Sequence, residues 1–290
     1  MDITLLGTGC PICDTRRFGP ANLVRASGGA FLVDCGSGVT QRLIGAGSRG
    51  ADLDAVLLTH LHSDHIVDLY QLVVSSWHQG RPKPQRVFGP PGTKRFVEGT
   101  MELWRPELEL RIAHERRPST EALKVDVTEI GPGEVLRHGD LVVTAVAVDH
   151  QPVTTAYGFV FDAGGRRIAI SGDTRPCPAL IEAAKGADVL VHEVMIHREM
   201  IVKPGQRSTE TIDRVASYHT LSDQVGKIAA QAGARILTLT HFVPVRFDQA
   251  ALLAEVRRDY GGPIVIGEDL MRIDAATGAV TIGEAVIGLT

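Results

Sequence analysis

Three imidazoles and one carboxylate occupy six consecutive positions, His60 to His65, directly after the apolar run Ala55-Val56-Leu57-Leu58. A run of that kind enters a buried sheet, and polar groups crowded at its end need partners. Neutral imidazole and carboxylate together form a donor set for zinc and similar borderline cations. The spacing adds geometry. Side chains alternate across an extended segment, so His60 and His62 share one face. Asp64 and His65 follow where the chain turns and can face a second position nearby. One short segment can therefore serve two metal ions.

Other apolar runs close in the same way. Leu141–Val148 runs into Asp149-His150, Arg167–Ser171 into Gly172-Asp173, Val189–Val191 into His192-Glu193, and Ile236–Thr240 into His241. Ligands gather at the C-terminal ends of strands in layered α/β folds. Four such ends, added to the 60–65 run, point to one shared site. Strand-like runs recur at 2–7, 30–35, 54–59, 141–149, 156–162, 166–171, 188–192, 235–240 and 263–267. Helical spacing or capping marks 66–77, 222–232 and 248–260. The mixture predicts a layered α/β protein. A single domain over 1–290 is the simplest organisation, with an insertion around 80–140 whose Pro-rich stretches at 82–92 and 117–119 read as surface loops.

Composition narrows the function. Apolar residues make up 44% of the 290 positions, enough for a sizeable core. A net charge of −4 gives no whole-protein attraction to nucleic acid. No run is apolar for long enough to span a bilayer, and the first residues lack a signal-peptide pattern, so a cytoplasmic protein with no membrane partner is expected. Cys10, Cys13, Cys35 and Cys177 form no disulfide framework. Cys10 and Cys13 have the spacing of a redox pair, but their loop of Gly, Pro, Asp and Arg reads as carrying free thiols.

Taken in order, His60-Leu61-His62-Ser63-Asp64-His65, His150, Asp173 and His241 resemble the metal ligands of the metallo-β-lactamase fold. Leu5–Gly9 and Leu32–Gly38 resemble its opening strands. The resemblance covers nearly the whole chain. It implies a four-layer αββα sandwich with a dinuclear metal site at the sheet edge. His60, His62 and His150 would hold one ion, Asp64, His65 and His241 the other, with Asp173 bridging. The ions would be two divalent cations, zinc first, with manganese or iron as alternatives. Ile170–Thr174, His192-Glu193 and His219-Thr220 resemble the ribonuclease Z branch, while Tyr218–Ser222 and Leu239–Pro244 are closer to arylsulfatase-like and phosphodiesterase-like relatives.

The resemblance implies catalytic roles for Asp64, His219 and Glu193. Asp64 lies beside the activated water as ligand or proton acceptor. His219 precedes the helix opened by Ser222, where unpaired N–H groups favour anions, and is the candidate general acid or oxyanion stabiliser. Glu193 would fix its tautomer. Asp34 would support the ligand layer from beneath. Bacterial ribonuclease Z carries a long arm between the residues matching His150 and Asp173, whereas here 151–172 reads as two strands joined at Ala163-Gly164-Gly165. The expectation is therefore a hydrolase of a phosphodiester, sulfate ester or related small ester, with a small-molecule substrate and no nucleic acid partner. The alternatives are a lactonase or β-lactamase and a tRNA 3′-processing endonuclease. Relatives often form homodimers, which is expected here too.

Overall fold

The computed structural model describes residues 1–289. The chain opens with β1 (Asp2–Gly7), β2 (Ala21–Ala26) and β3 (Gly29–Val33), then α1 (Val39–Gly45) and β4 (Ala55–Leu57). A single turn, α2 (Ser63–Ile66), leads into α3 (Leu69–His78), β5 (Gln85–Gly89), the long α4 (Thr93–Glu115) and β6 (Val125–Glu129). The second half runs through β7 (Gly133–His138), β8 (Leu141–His150), β9 (Val153–Ala163), β10 (Arg166–Ile170), α5 (Pro178–Ala183) and β11 (Val189–Met195). It continues through α6 (Thr209–Ala216), α7 (Ser222–Ala232), β12 (Ile236–Val243), α8 (Gln249–Val256) and β13 (Ile264–Ile266). Three short strands close the chain: β14 (Arg272–Asp274), β15 (Val280–Ile282) and β16 (Ala285–Ile287).

Two sheets result, one ordered β16-β15-β14-β1-β2-β3-β4-β5-β6 and the other β13-β12-β11-β10-β9-β8-β7. Strand alternation decides which side chains meet. Phe31 and Val33 of β3, Leu57 of β4, Phe159 and Phe161 of β9 and Val191 of β11 fill the space between the sheets. Their neighbours Leu32 and Val56 face outward under α1 and α3, in a cluster that holds Val39, Leu43 and Leu72. Leu190, Leu237 and Leu239 face the other way, against Val225 and Ile228 of α7 and Leu252 of α8. Both faces of the inner strands are thus buried, which is why their sequences read as unbroken apolar runs. The architecture is a four-layer αββα sandwich, the metallo-β-lactamase fold.

Parallel pairing sets up the site. β3 pairs with β4, and β10, β11 and β12 pair in series, all parallel. Parallel neighbours end at the same edge, so Asp34 and Thr59-His60 leave the first sheet together, while Asp173 follows β10 and Glu193 and His241 lie near the C-terminal ends of β11 and β12. Two backbone hydrogen bonds tie these edges, from Tyr157 N–H to the Thr59 carbonyl at 2.9 Å and from Phe242 N–H to the Thr8 carbonyl at 3.0 Å.

The stretch 80–140, read as an insertion with surface loops, supplies β5 and β6 to the first sheet and β7 to the second. Its strands are short, and α4 carries Pro106 and a charged surface paired along the helix, as in Arg111 with Glu107, so neither element shows a clean apolar period. The helix expected at 66–77 is divided into α2 and α3, because the Asp68 N–H bonds the Cys35 carbonyl. Among the described residues no helix is long and apolar enough to cross a membrane.

Candidate metal centre and active site

His60, His62, His150 and Asp173 each present one ligand atom, all within 4.8 Å of one another, and Asp64, His65 and His241 do the same. Asp173 links the two groups. Its Oδ2 lies 3.3 Å from His241 Nε2, 3.4 Å from His65 Nε2, 3.8 Å from His150 Nε2 and 3.9 Å from His60 Nε2. The turn before it depends on Gly172, whose φ is +60° and where a Cβ would come within 2.4 Å of the Tyr157 carbonyl oxygen.

The first group is a convergence of lone pairs. His60 Nδ1 donates to Thr59 Oγ1 at 3.0 Å, which is itself committed as donor to Asp34. His150 Nδ1 donates to the Tyr218 carbonyl at 2.9 Å. The Nε2 atoms of both rings are therefore acceptors, and they face His62 Nδ1 at 3.0 and 3.3 Å. Burial, with the neighbouring imidazoles, holds the His60 pKa well below its ordinary value, and burial foremost lowers those of His62 and His150. Neutral imidazoles with lone pairs aimed at one point are answered by a cation.

The second group has a different charge balance. Burial opposes charging His65, but Asp173 and Asp34 outweigh it and hold its pKa well above the ordinary value. His241 is raised in the same way, chiefly by Asp173. Burial also works against ionising Asp173, but the surrounding imidazoles, His241 first, hold its carboxyl well below the usual range. His65 Nε2 and His241 Nδ1 are buried and have no hydrogen-bond partner. This donor set also fits a divalent ion: His65 and His241 would bind it in their deprotonated form, and Nε2 of His65 would gain a partner.

Asp34 organises the first-sheet side. Its carboxylate accepts from Thr59 N–H at 2.8 Å, from Thr59 Oγ1–H and from His65 Nδ1 at 2.8 Å. It orients His65 directly and His60 through Thr59. Asp34 adopts φ +63° and His241 φ +44°, a region that non-glycine residues rarely enter and that packing must enforce.

Behind the second group lies a proton-bearing pair. Glu193 Oε1 accepts from His219 Nδ1 at 2.9 Å, from Thr174 N–H at 2.9 Å and from Thr220 N–H at 3.2 Å. Burial pushes the His219 pKa down, yet the Glu193 charge and hydrogen bond outweigh it and raise it to about 9. A His219 ring nitrogen lies within 4.8 Å of ligand atoms of Asp173 and His241. His192 is fully buried, with Nδ1 donating to the Glu193 carbonyl at 2.8 Å, a role in the strand rather than the cavity. His197 is half-exposed and lies 3.7 Å from Asp213. Cys10 is buried and Cys13 exposed, both free. Trp77 is core, its indole N–H on the Ser119 carbonyl. The sequence reading gave no role to Thr59, Thr174, Thr220 or the Tyr218 carbonyl. Thr59 and Thr220 adjoin motif histidines, which is the only signal they give.

This fold and donor arrangement define a class. A family model described as the beta-lactamase superfamily domain matches residues 30–242, and the chain belongs to that superfamily as a metallohydrolase of metallo-β-lactamase fold. Narrower relatives are also found. Ribonuclease Z of Mycobacterium marinum is 40% identical over 282 residues, covering 94% of this chain and 98% of the relative. Ribonuclease Z of Mycolicibacterium gilvum is 40% identical over 286 residues, covering 96% and 97%. Among solved structures, the metallo-β-lactamase fold protein YhfI from Bacillus subtilis matches with a TM-score of 0.72 at 21% identity, covering 93% of this chain and 98% of that one. The short form of human tRNase Z matches with a TM-score of 0.71 at 24% identity, covering 95% and 99%. These two likenesses speak for the fold.

The relatives overturn two expectations. A small-ester hydrolase with a small-molecule substrate and no nucleic acid does not survive 40% identity to whole proteins named for cleaving RNA. That expectation rested on the missing arm between His150 and Asp173 and on mild acidity. The alignment takes in nearly all of each relative as well as of this chain, so those ribonucleases have no room for a long extra arm either. Whole-molecule charge says little about a local surface. The likeness of Tyr218–Ser222 and Leu239–Pro244 to arylsulfatase-like proteins finds no support among these relatives.

Proposed function

We propose that the chain is an endoribonuclease of the ribonuclease Z type that hydrolyses a phosphodiester near the 3′ end of precursor tRNA in the cytoplasm. One observation carries the reading. A seven-residue His/Asp cluster with the hydrogen-bonded His219–Glu193 pair beside it occurs in a chain that aligns over nearly its whole length with ribonuclease Z relatives. His60, His62 and His150 would hold one divalent ion and Asp64, His65 and His241 the other, with Asp173 reaching both; zinc suits the set, and manganese or iron are alternatives. Bound there, the ions would supply Lewis acidity toward the phosphate oxygens and lower the pKa of water.

The chain's own groups do the rest. Asp64 is a ligand whose carboxylate can also take a proton from water. Burial pushes its carboxyl up, but hydrogen bonding to His241 and the His65 charge bring it below the usual range, so it stays ionised. His219 keeps Nδ1 on Glu193, which leaves Nε2–H to protonate the departing oxygen. With a pKa of about 9, it holds that proton at neutral pH. Glu193 fixes the tautomer, and the Thr174 and Thr220 N–H groups fix Glu193.

The test is cleavage of a 3′-extended precursor tRNA by zinc- or manganese-loaded protein, with EDTA-treated protein and His62→Ala alongside. Cleavage at one site near the 3′ end, lost with EDTA and in His62→Ala, supports the reading. Loaded protein that leaves the RNA intact rejects it.

A further inference from the structure

Tyr218 precedes His219 in the segment between α6 and α7. The segment is a turn, where neighbouring side chains need not alternate as they do in a strand. Here both rings lie against one imidazole. The Tyr218 ring centroid is 5.0 Å from that of His150 at 88°, the His219 centroid 5.2 Å from it at 62°, and the Tyr218 and His219 centroids are 4.8 Å apart. The backbone holds this arrangement, because the Tyr218 carbonyl accepts from His150 Nδ1 and its N–H bonds the Val215 carbonyl. His219 is buried and drawn inward by Glu193, while Tyr218 is half-buried and so forms the outer member of the pair.

The phenol hydroxyl makes no hydrogen bond among the described residues; both bonds of Tyr218 are made by its backbone. A phenol is neutral near pH 7 and so offers an O–H donor. A free donor thus borders the acid that serves the departing oxygen. In RNA, the 2′-hydroxyl is carried on the carbon adjacent to the one bearing the 3′-oxygen. A group flanking an acid that serves the 3′-oxygen is therefore placed to read that hydroxyl.

Resting on the RNA-cleaving reading above, we infer that Tyr218 is a specificity-determining residue whose phenol donates a hydrogen bond to the ribose 2′-hydroxyl beside the departing 3′-oxygen. The contact distinguishes RNA from DNA at the scissile nucleotide, the role that 2′-hydroxyl contacts serve in RNA recognition generally.

The experiment is single-turnover cleavage of 3′-extended precursor tRNA by metal-loaded wild type and Tyr218→Phe. Each acts on an all-ribose substrate and on one carrying a single 2′-deoxyribose on the 5′ side of the scissile bond. The readout is the ribose-to-deoxyribose rate ratio, which a general loss of activity does not move. The ratio should fall by about tenfold from wild type to Tyr218→Phe, in keeping with one neutral hydrogen bond. An unchanged ratio overturns the inference, as does a variant inactive on both substrates, since Tyr218 would then do more than read the hydroxyl. Wild type that cuts neither substrate rejects the RNA-cleaving reading itself, which separates the two failures.

Discussion

The two sheets furnish the site in different ways. The first contributes His60, His62, Asp64 and His65 from one loop of six residues, stiffened by Asp34 and Thr59 from beneath. The second contributes His150, Asp173, Glu193, His219 and His241 from β8, the turn after β10, β11, the segment before α7 and β12. The first half is an imidazole-rich ligand cradle. The second holds the carboxylate that lies beside both groups and the imidazole whose pKa a buried glutamate raises. Ligand placement is thus mostly local, whereas charge placement and proton handling depend on strands that pack in register.

The largest effect is expected for Asp173→Ala, which removes the carboxylate common to both groups. Cleavage should fall by roughly 10⁴-fold or more, and elemental analysis should show bound metal dropping from two ions per chain toward one or none. Two ions retained with near-normal cleavage would mean that the halves are not joined through Asp173.

Next in size is His219→Ala, expected to lower kcat by about 10²- to 10⁴-fold while metal content holds. Loss of metal together with activity would make His219 a ligand and erase the division of labour.

Glu193→Gln and Asp34→Asn sharpen the contrast, because each removes one charge beneath one half. Glu193→Gln should move the alkaline limb of the rate profile. Glu193 lets His219 keep its proton to higher pH; without that charge the proton leaves earlier, so activity declines at lower pH. Asp34→Asn should instead weaken metal binding by about 10- to 100-fold, as lost outer partners do, and leave the alkaline limb where it was. Exchanged phenotypes would contradict the assignment.

The smallest effect concerns loading order. His60, His62 and His150 are neutral, whereas His65 and His241 carry raised pKa values, so a cation must expel protons from the second group. Metal titrations at decreasing pH should show the second equivalent weakening before the first. Parallel weakening of both would place the two groups in one electrostatic environment.

How much of this was legible depended on chain distance. The run His60–His65 named its own chemistry, because four donors within six positions are neighbours in any fold. The apolar runs leading to Asp173, Glu193 and His241 were equally plain, since β11 and β12 are buried on both faces and read as continuous apolar runs, although they continue past Glu193 and His241 to Met195 and Val243. Sequence spacing likewise set α7, from Ser222 to Ala232. It did not reveal α4 or the strands β5, β6 and β7, whose charged and short segments lack a period and gain their place from β4, β5 and β8 respectively. Nor could it show that Asp34 and His241 take positive φ, that Thr59 relays Asp34 to His60, or that Tyr218 and His219 lie on one side of the chain. Those features arise where two sheets meet at one edge. Donor chemistry is a property of residue types and was readable in one dimension; the electric field on each candidate ligand is a sum over neighbours distant in sequence, which only packing brings together.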